Sequence, residues 1–188
     1  MNSKKNSAPK GWKEWSPGLM NGDKKLSAVL KTMPSNESTD ISAMVKLFEN
    51  PASPIALPGA VSLERHDCIH VMLGRGLLPQ DEAFVIGFTM GTSKYISGFA
   101  ESLFKKAAKY LYPHPYKFSD EHLVAFELGL KYGKASKANE IYEFPFEHFK
   151  DEKIGKLRKK IGINISELKK IYAAEKVLLP NTKESKRL

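Results

Sequence analysis

The sequence predicts an all-α fold, a single-domain bundle of about six helices. Three observations predict it. Apolar residues recur at helical spacing in successive segments. Glycine and proline clusters fall mostly between those segments. No segment shows the apolar–polar alternation of a half-buried strand.

Residues 1–22 contain Pro9, Pro17 and three glycines and read as a loose lead, with Trp12 and Trp15 as its attachment points. The domain proper is expected over 23–179. In KKLSAVLKTM, residues 24–33, Leu26, Val29, Leu30 and Met33 share a helix face, and Pro34 closes it. In TDISAMVKLFEN, Thr39 or Asp40 can cap a helix that places Ile41, Met44, Val45 and Phe48 together. NPASPIALPG, with three prolines, reads as a linker or extended segment. A helix is expected from about Ala60 to Leu73, where GRG breaks it. Pro79 suits the first turn of the next helix, which the pattern carries to Tyr112, before Pro113 and Pro115. Ser119 caps DEHLVAFELGLKYG, ending at Gly133. DEKIGKLRKKIGI and ISELKKIYAAEKVLL supply two more helices, and residues 180–188 are expected to fray as a basic tail.

Bulk composition narrows the function classes. Hydrophobic residues make up 41% and charged residues 27% of 188, as in a globular protein rather than a disordered one. The single cysteine, Cys68, excludes an internal disulfide framework and a cysteine-based zinc finger. The first fifteen residues lack the apolar core of a signal peptide, and no apolar run approaches the ~18 residues of a membrane span. The expected location is the cytoplasm, at the inner face of a membrane. The net charge of +9 is uneven: residues 1–31 carry seven lysines against two acids, and residues 150–188 carry twelve basic residues against five acids. Such ends are either solvated or drawn to an anionic membrane surface. Nucleic acid is set aside as a partner, because only four residues are arginine and no aromatic–basic interleaving is present.

The chemistry concentrates in HDCIHVMLGRGLLPQDE, residues 66–82. On a helix His66, Asp67 and His70 fall within roughly 100° of one another, and His66 and His70 stand one turn apart, the spacing at which two imidazoles reach one metal. Cys68 faces away and is read as packing. Glu82 stands early in the next helix, so an antiparallel hairpin returns it toward His70. Two nitrogens and up to two carboxylates suit zinc, or another borderline ion such as Co2+, Mn2+ or Fe2+, with a coordination position left for water or substrate. The alternative is a satisfied polar patch where two helices meet. The phosphohydrolases with an HD pair also need an upstream histidine, and His66 is the first histidine of this chain.

His66-Asp67-x-x-His70, eleven residues, then Glu82, in RHDCIHVMLGRGLLPQDEAFVIGFTMG, resembles the metal motif of the coenzyme Q biosynthesis protein family of the Coq-four type. A fainter likeness covers EKIGKLRKKIGI, and TDISAMVKLFEN matches an early helix of that family. The segment before the motif, ENPASPIALPGAVSLE, departs from the family and is shorter. The resemblance implies an all-α fold, a divalent metal on His66, Asp67, His70 and Glu82, and a groove for an isoprenoid tail. It also implies a place in ubiquinone synthesis, linked to replacing the ring C1 carboxylate of a prenylated aromatic acid by a hydroxyl. Such a protein would organise other quinone biosynthesis enzymes at a membrane.

Further expectations attach to the neighbours. Glu82 or Asp67, where free of metal, would serve as the catalytic proton carrier. Arg65 and Arg75 flank the motif, and either can fork onto the carboxylate or phosphate of a substrate or form a plain salt bridge. Gly87, Gly91 and Gly98 lie among Phe84, Ile86, Phe88, Met90, Ile96 and Phe99. Gly87 and Gly91 are read as one wall of a lipid-tail groove, against the alternative of close helix packing. His114, His122 and His148 are read as surface or capping groups. Two roles stay open, a metal-dependent decarboxylase or hydroxylase and a non-catalytic isoprenoid-binding scaffold, and a plain helical adaptor without metal is the third reading if the four residues do not converge. The expected partners are an isoprenoid quinone precursor, an anionic membrane, other quinone biosynthesis enzymes and a second copy of the chain.

Overall fold

A computed structural model of the chain describes residues 11–34, 61–98, 102, 105–106, 109 and 118–188. Six α-helices have described bounds: α1 (Leu26–Leu30), α2 (Leu63–Leu73), α3 (Pro79–Gly91), α4 (Asp120–Ala135), α5 (Ile154–Ile161) and α6 (Ile165–Leu178); residues 98, 102 and 105–106 are helical as well. Short 3-10 turns span Ile141–Glu143, Phe146–Phe149 and Ser185–Arg187. There is no strand among the described residues, so the all-α expectation holds. The expected helix in TDISAMVKLFEN and the NPASPIALPG linker lie outside the described residues.

The central element is α3. Pro79 starts it, its absent N–H costing nothing at a helix N-terminus. Every residue from Gln80 to Gly91 is buried, the mark of a helix packed on all sides. It stops at Gly91 rather than running to Tyr112. Thr89 Oγ1 donates to Val85 O and Thr92 Oγ1 to Thr89 O, both at 2.8 Å, so hydroxyls compete for the last carbonyls. The chain at Glu140 and Ile141 then takes over the helix end: Glu140 N donates to Thr92 O, and Ile141 N to Thr92 Oγ1. Apolar periodicity continues past residue 91 and concealed this stop.

α4 crosses α3 at backbone contact. A Cβ on Gly87 would lie 2.1 Å from Phe126 O, and one on Gly91 2.4 Å from Leu130 O. From the other side, a Cβ on Gly129 would lie 2.2 Å from Phe84 O, and one on Gly133 2.4 Å from Phe88 O. Four glycines thus form one seam. The reading of Gly87 and Gly91 as a groove wall is corrected here: the space beside them is filled by the α4 backbone. Because Gly133 belongs to the seam, α4 runs through it to Ala135.

The described part of the lead, residues 11–22, and the last residues, 180–188, are docked, against the expectation of a loose lead and a fraying tail. Trp15 is buried, and its indole Nε1 donates to Thr32 Oγ1 at 3.1 Å. Residues 22–27 run antiparallel to 150–155 through Gly155 N to Gly22 O, Ile154 N to Lys24 O, Leu26 N to Glu152 O and Ser27 N to Lys150 O. That pairing shortens α1 relative to the predicted 24–33. At the other end Ser185 is only 1% exposed.

Two caps are local. Asn164 Oδ1 accepts from Ser166 N and Glu167 N to start α6. At α4, Ser119 Oγ accepts from His122 N, and His122 Nδ1 accepts from Ser119 N, a capping box closed by histidine. Its acceptor role needs the neutral ring. Burial lowers the His122 pKa from its ordinary 6.5, although Glu184 and Glu121 pull upward.

Replacing Gly87 by alanine must push the two helix backbones apart, and we expect a loss of about 3 kcal/mol in urea denaturation despite alanine's better helix propensity. The His122 cap has its own pH signature. The folded chain binds fewer protons here than the unfolded one, so this contribution is complete above pH 6.5 and lost as the pH falls below it. Comparing stability at pH 7.5 and 5.0 with His122→Gln should show that the variant, which keeps the box, loses about 0.5–1 kcal/mol less on acidification than the parent.

Candidate metal centre

The centre is built on the α2–α3 hairpin. Ser62 Oγ caps α2, and Gly74 ends it in the left-handed region at φ 73°. A side chain at Gly74 would also strike the Gly18–Leu19 backbone, 2.7 Å from its Cβ. The last carbonyls of α2 are taken by side chains from distant segments. Arg158 donates to Met72 O at 2.8 Å and to Val71 O at 3.4 Å, Tyr172 to Leu73 O at 2.7 Å, and Asn21 to Val71 O at 3.3 Å. The turn that carries His70 is therefore fixed by packing rather than by propensity.

Within this frame His66, His70 and Glu82 converge. They are 5%, 0% and 7% exposed. One ligand atom from each lies within 4.8 Å of the others, a grouping that can hold a metal ion. His66 Nε2 lies 3.0 Å from His70 Nε2 and 3.0 Å from Glu82 Oε2, and His70 Nε2 lies 3.3 Å from Glu82 Oε1. Ligands bonded at about 2.0–2.1 Å around a tetrahedral ion are separated by about 3.3 Å. His70 Nδ1 lies 2.7 Å from Gly76 O. A carbonyl only accepts, so the proton sits on Nδ1 and a neutral His70 presents the Nε2 lone pair inward. Two ring nitrogens and a carboxylate thus aim at one buried point.

The charges at the centre are set by one another. Burial opposes ionisation of Glu82, but His70 and His66 outweigh it and hold the carboxyl well below the usual carboxylate range. Burial likewise disfavours the His70 imidazolium, yet Glu82, Asp67 and Asp81 raise its pKa above the ordinary 6.5. Glu82 Oε1 is buried, and its 3.3 Å contact with His70 Nε2 falls outside hydrogen-bond geometry. An ion shared by three ligands would satisfy that orphaned oxygen.

The remaining expected residues fall in different places. Asp67 stands about 100° round the helix from His66 and is outside the close triad. It is half-buried, and burial raises its pKa, with His66 and His70 pulling the other way. Cys68 is buried on the opposite face, its thiol pushed up to about 12 by burial and by Asp67. Arg65 donates to Tyr142 O at 3.1 Å and to Glu147 Oε1 at 2.8 Å, tying α2 to the 3-10 segment.

Arg75 is 0% exposed and forks onto Glu175, with Nη1 also 3.4 Å from Asp81 Oδ1. Its guanidinium stacks between the rings of Phe84 and Tyr172, 3.9 and 4.4 Å from their centroids. Substrate binding by Arg75 is therefore corrected to a sealed structural role. Sequence reasoning missed its partners Glu175 and Asp81, and the Gln80 side chain that joins Glu175 to Ser185 beside them. One signal was available. Glu175 continues the buried stripe Leu168–Tyr172 of α6 at offset seven, and a carboxylate on a core stripe needs a buried cation.

Comparison with protein-family profiles, with curated proteins and with solved structures finds no match to this chain.

Removing one member of a buried ion pair strands the other. We expect Arg75→Met to cost about 3–5 kcal/mol in denaturant titration, and the double variant Arg75→Met with Glu175→Leu to recover most of that loss.

Proposed function

We propose that the chain is a metal-binding protein of isoprenoid quinone metabolism. It holds one divalent transition ion, zinc in first place and cobalt, manganese or iron as the other candidates, on His66, His70 and Glu82. The convergence of these three buried side chains around the orphaned Glu82 oxygen carries the metal reading. Mixed nitrogen and oxygen donors favour these ions over magnesium and calcium. Ubiquinone synthesis, and a prenylated aromatic acid as substrate class, rest on the likeness of residues 64–92 to the Coq-four motif.

A bound divalent ion supplies Lewis acidity toward a carboxylate or carbonyl head group. Around it the residues divide the work. Gly76 O holds the His70 proton on Nδ1. Asp67, half-buried with a raised pKa, can hold a proton at its carboxyl oxygen beside the centre. Arg65, whose side chain is 29% exposed, is the candidate contact for a substrate anion, which would have to compete with its Glu147 salt bridge.

The membrane aspect of the reading draws support from one face of the molecule. A cleft of about 840 Å3 is lined by Lys137, Lys153, Lys156 and Lys159 together with Asp23 and Glu167, and exposed Met20 also lines it. Among the described residues no carboxylate pairs with Lys137, Lys153 or Lys159. No helix among the described residues is long and apolar enough to cross a membrane, so contact of this face with anionic lipid would be peripheral. The near-complete burial of the triad favours a second reading, a structural ion in a scaffold that presents isoprenoid lipid to other enzymes.

Metal analysis by mass spectrometry tests the centre. We expect about one equivalent in the wild type and a large loss in His70→Ala and Glu82→Gln. Turnover of a prenylated hydroxybenzoate by the metal-loaded protein alone would place it among enzymes, and binding without turnover among scaffolds. No uptake of zinc, cobalt or manganese would refute the metal reading.

A further inference from the structure

We propose that residues 184–187 form a clamp that positions two metal ligands, Glu82 and His70, from the far end of the chain. The inference rests on the metal reading above.

The first contact is a helix cap supplied from a distance. Leu78, at the N-cap of α3, offers no side-chain hydrogen bond. Glu184 does so instead: its Oε1 accepts from Gln80 N at 3.4 Å, across 104 residues of sequence. The Gln80 side chain completes the join, donating to Ser185 Oγ at 3.0 Å and to Glu175 Oε1 at 2.6 Å. Glu82 follows two residues later in the same first turn, so its direction depends on how that turn is held.

The second contact is at Gly76. A Cβ built on Gly76 would meet Trp15 O at 2.7 Å and, beyond it, two side-chain atoms, Asp81 Oδ2 at 2.9 Å and Arg187 Nη1 at 3.2 Å. Both of those atoms are buried and lack hydrogen-bond partners. Arg187 is anchored on its other side, where Nη2 donates to Lys13 O. The guanidinium is thus wedged against the residue whose carbonyl orients His70. Glu184 fixes the carboxylate ligand and Arg187 fixes the backbone behind the imidazole ligand. Groups that orient metal ligands commonly change affinity by about 10–100-fold when removed.

The experiment is a Co2+ titration of the full chain followed by visible absorption, beside thermal unfolding. Glu184→Ala and Arg187→Ala should bind Co2+ at least about tenfold more weakly, with a changed ligand-field band at saturation. Glu184→Gln, which keeps the acceptor oxygen, should bind as the wild type does. Ile161→Ala, a core change away from the clamp, lowers the melting temperature and should leave Co2+ affinity and spectrum intact. Wild-type affinity and spectrum in both alanine variants would overturn the clamp, and so would equal weakening in Ile161→Ala. A wild type that takes up no cobalt would bring down the metal reading, and the clamp with it.

Discussion

The pairing of Arg75 with Glu175 is the constraint around which the rest is arranged. Taking two charges out of water costs several kcal/mol for each ion, and attraction alone seldom repays it. Here the guanidinium forks onto the carboxylate, lies between two aromatic rings, and shares its carboxylate with Gln80. The surroundings overcome the cost of burial, so Arg75 holds its proton more tightly than a free arginine. A pair this demanding tolerates little displacement. It sets where α6 meets the α2–α3 turn, and the segment after α6 follows from that placement.

The glycine seam acts at the opposite side of α3. With backbone against backbone, α4 leaves no room for rotation about the α3 axis. Glu82 is thereby aimed at His66 and His70 by packing on one side and by the ionic cluster on the other. A scaffold rigid in this way can keep three polar groups turned toward one buried point, an arrangement that isolated helices would relax by rotating outward. The electrostatics of His70 and Glu82 are the counterpart: burial opposes charge on each, and each favours the charged form of the other.

Much of this was legible in local spacing. The offset of four between His66 and His70, the glycine after α2 and the proline before Glu82 all express local rules, and the hairpin follows from them. Helix identity was equally readable where caps were local, as at Ser119 and Asn164. The rest depended on partners far away in sequence. Nothing near Gly87 indicates that the helix opposite carries Gly129 and Gly133 in register. Nothing near residue 91 marks a stop, because the hydroxyls act together with residues 140–141. Asp67 shares a helix with the histidines, but its position round the axis, rather than its adjacency, keeps it out of the triad. The substrate anion expected at Arg75 was displaced by a carboxylate 100 residues away.

Synthesis order gives the docked end of the chain a further meaning. The hairpin that bears His66, His70 and Glu82 is synthesised well before the carboxylate that caps α3, which lies 104 residues beyond Gln80. Until α6 and the turn after it have emerged, Arg75 lacks its counter-ion, and the first turn of α3 lacks its acceptor. Nascent hairpin and finished hairpin are therefore different objects. Contacts of long sequence separation form late in folding, since loop closure must precede them. The final setting of His70 and Glu82 is thus delayed by chain topology itself, and the order of assembly is written into which residues hold which.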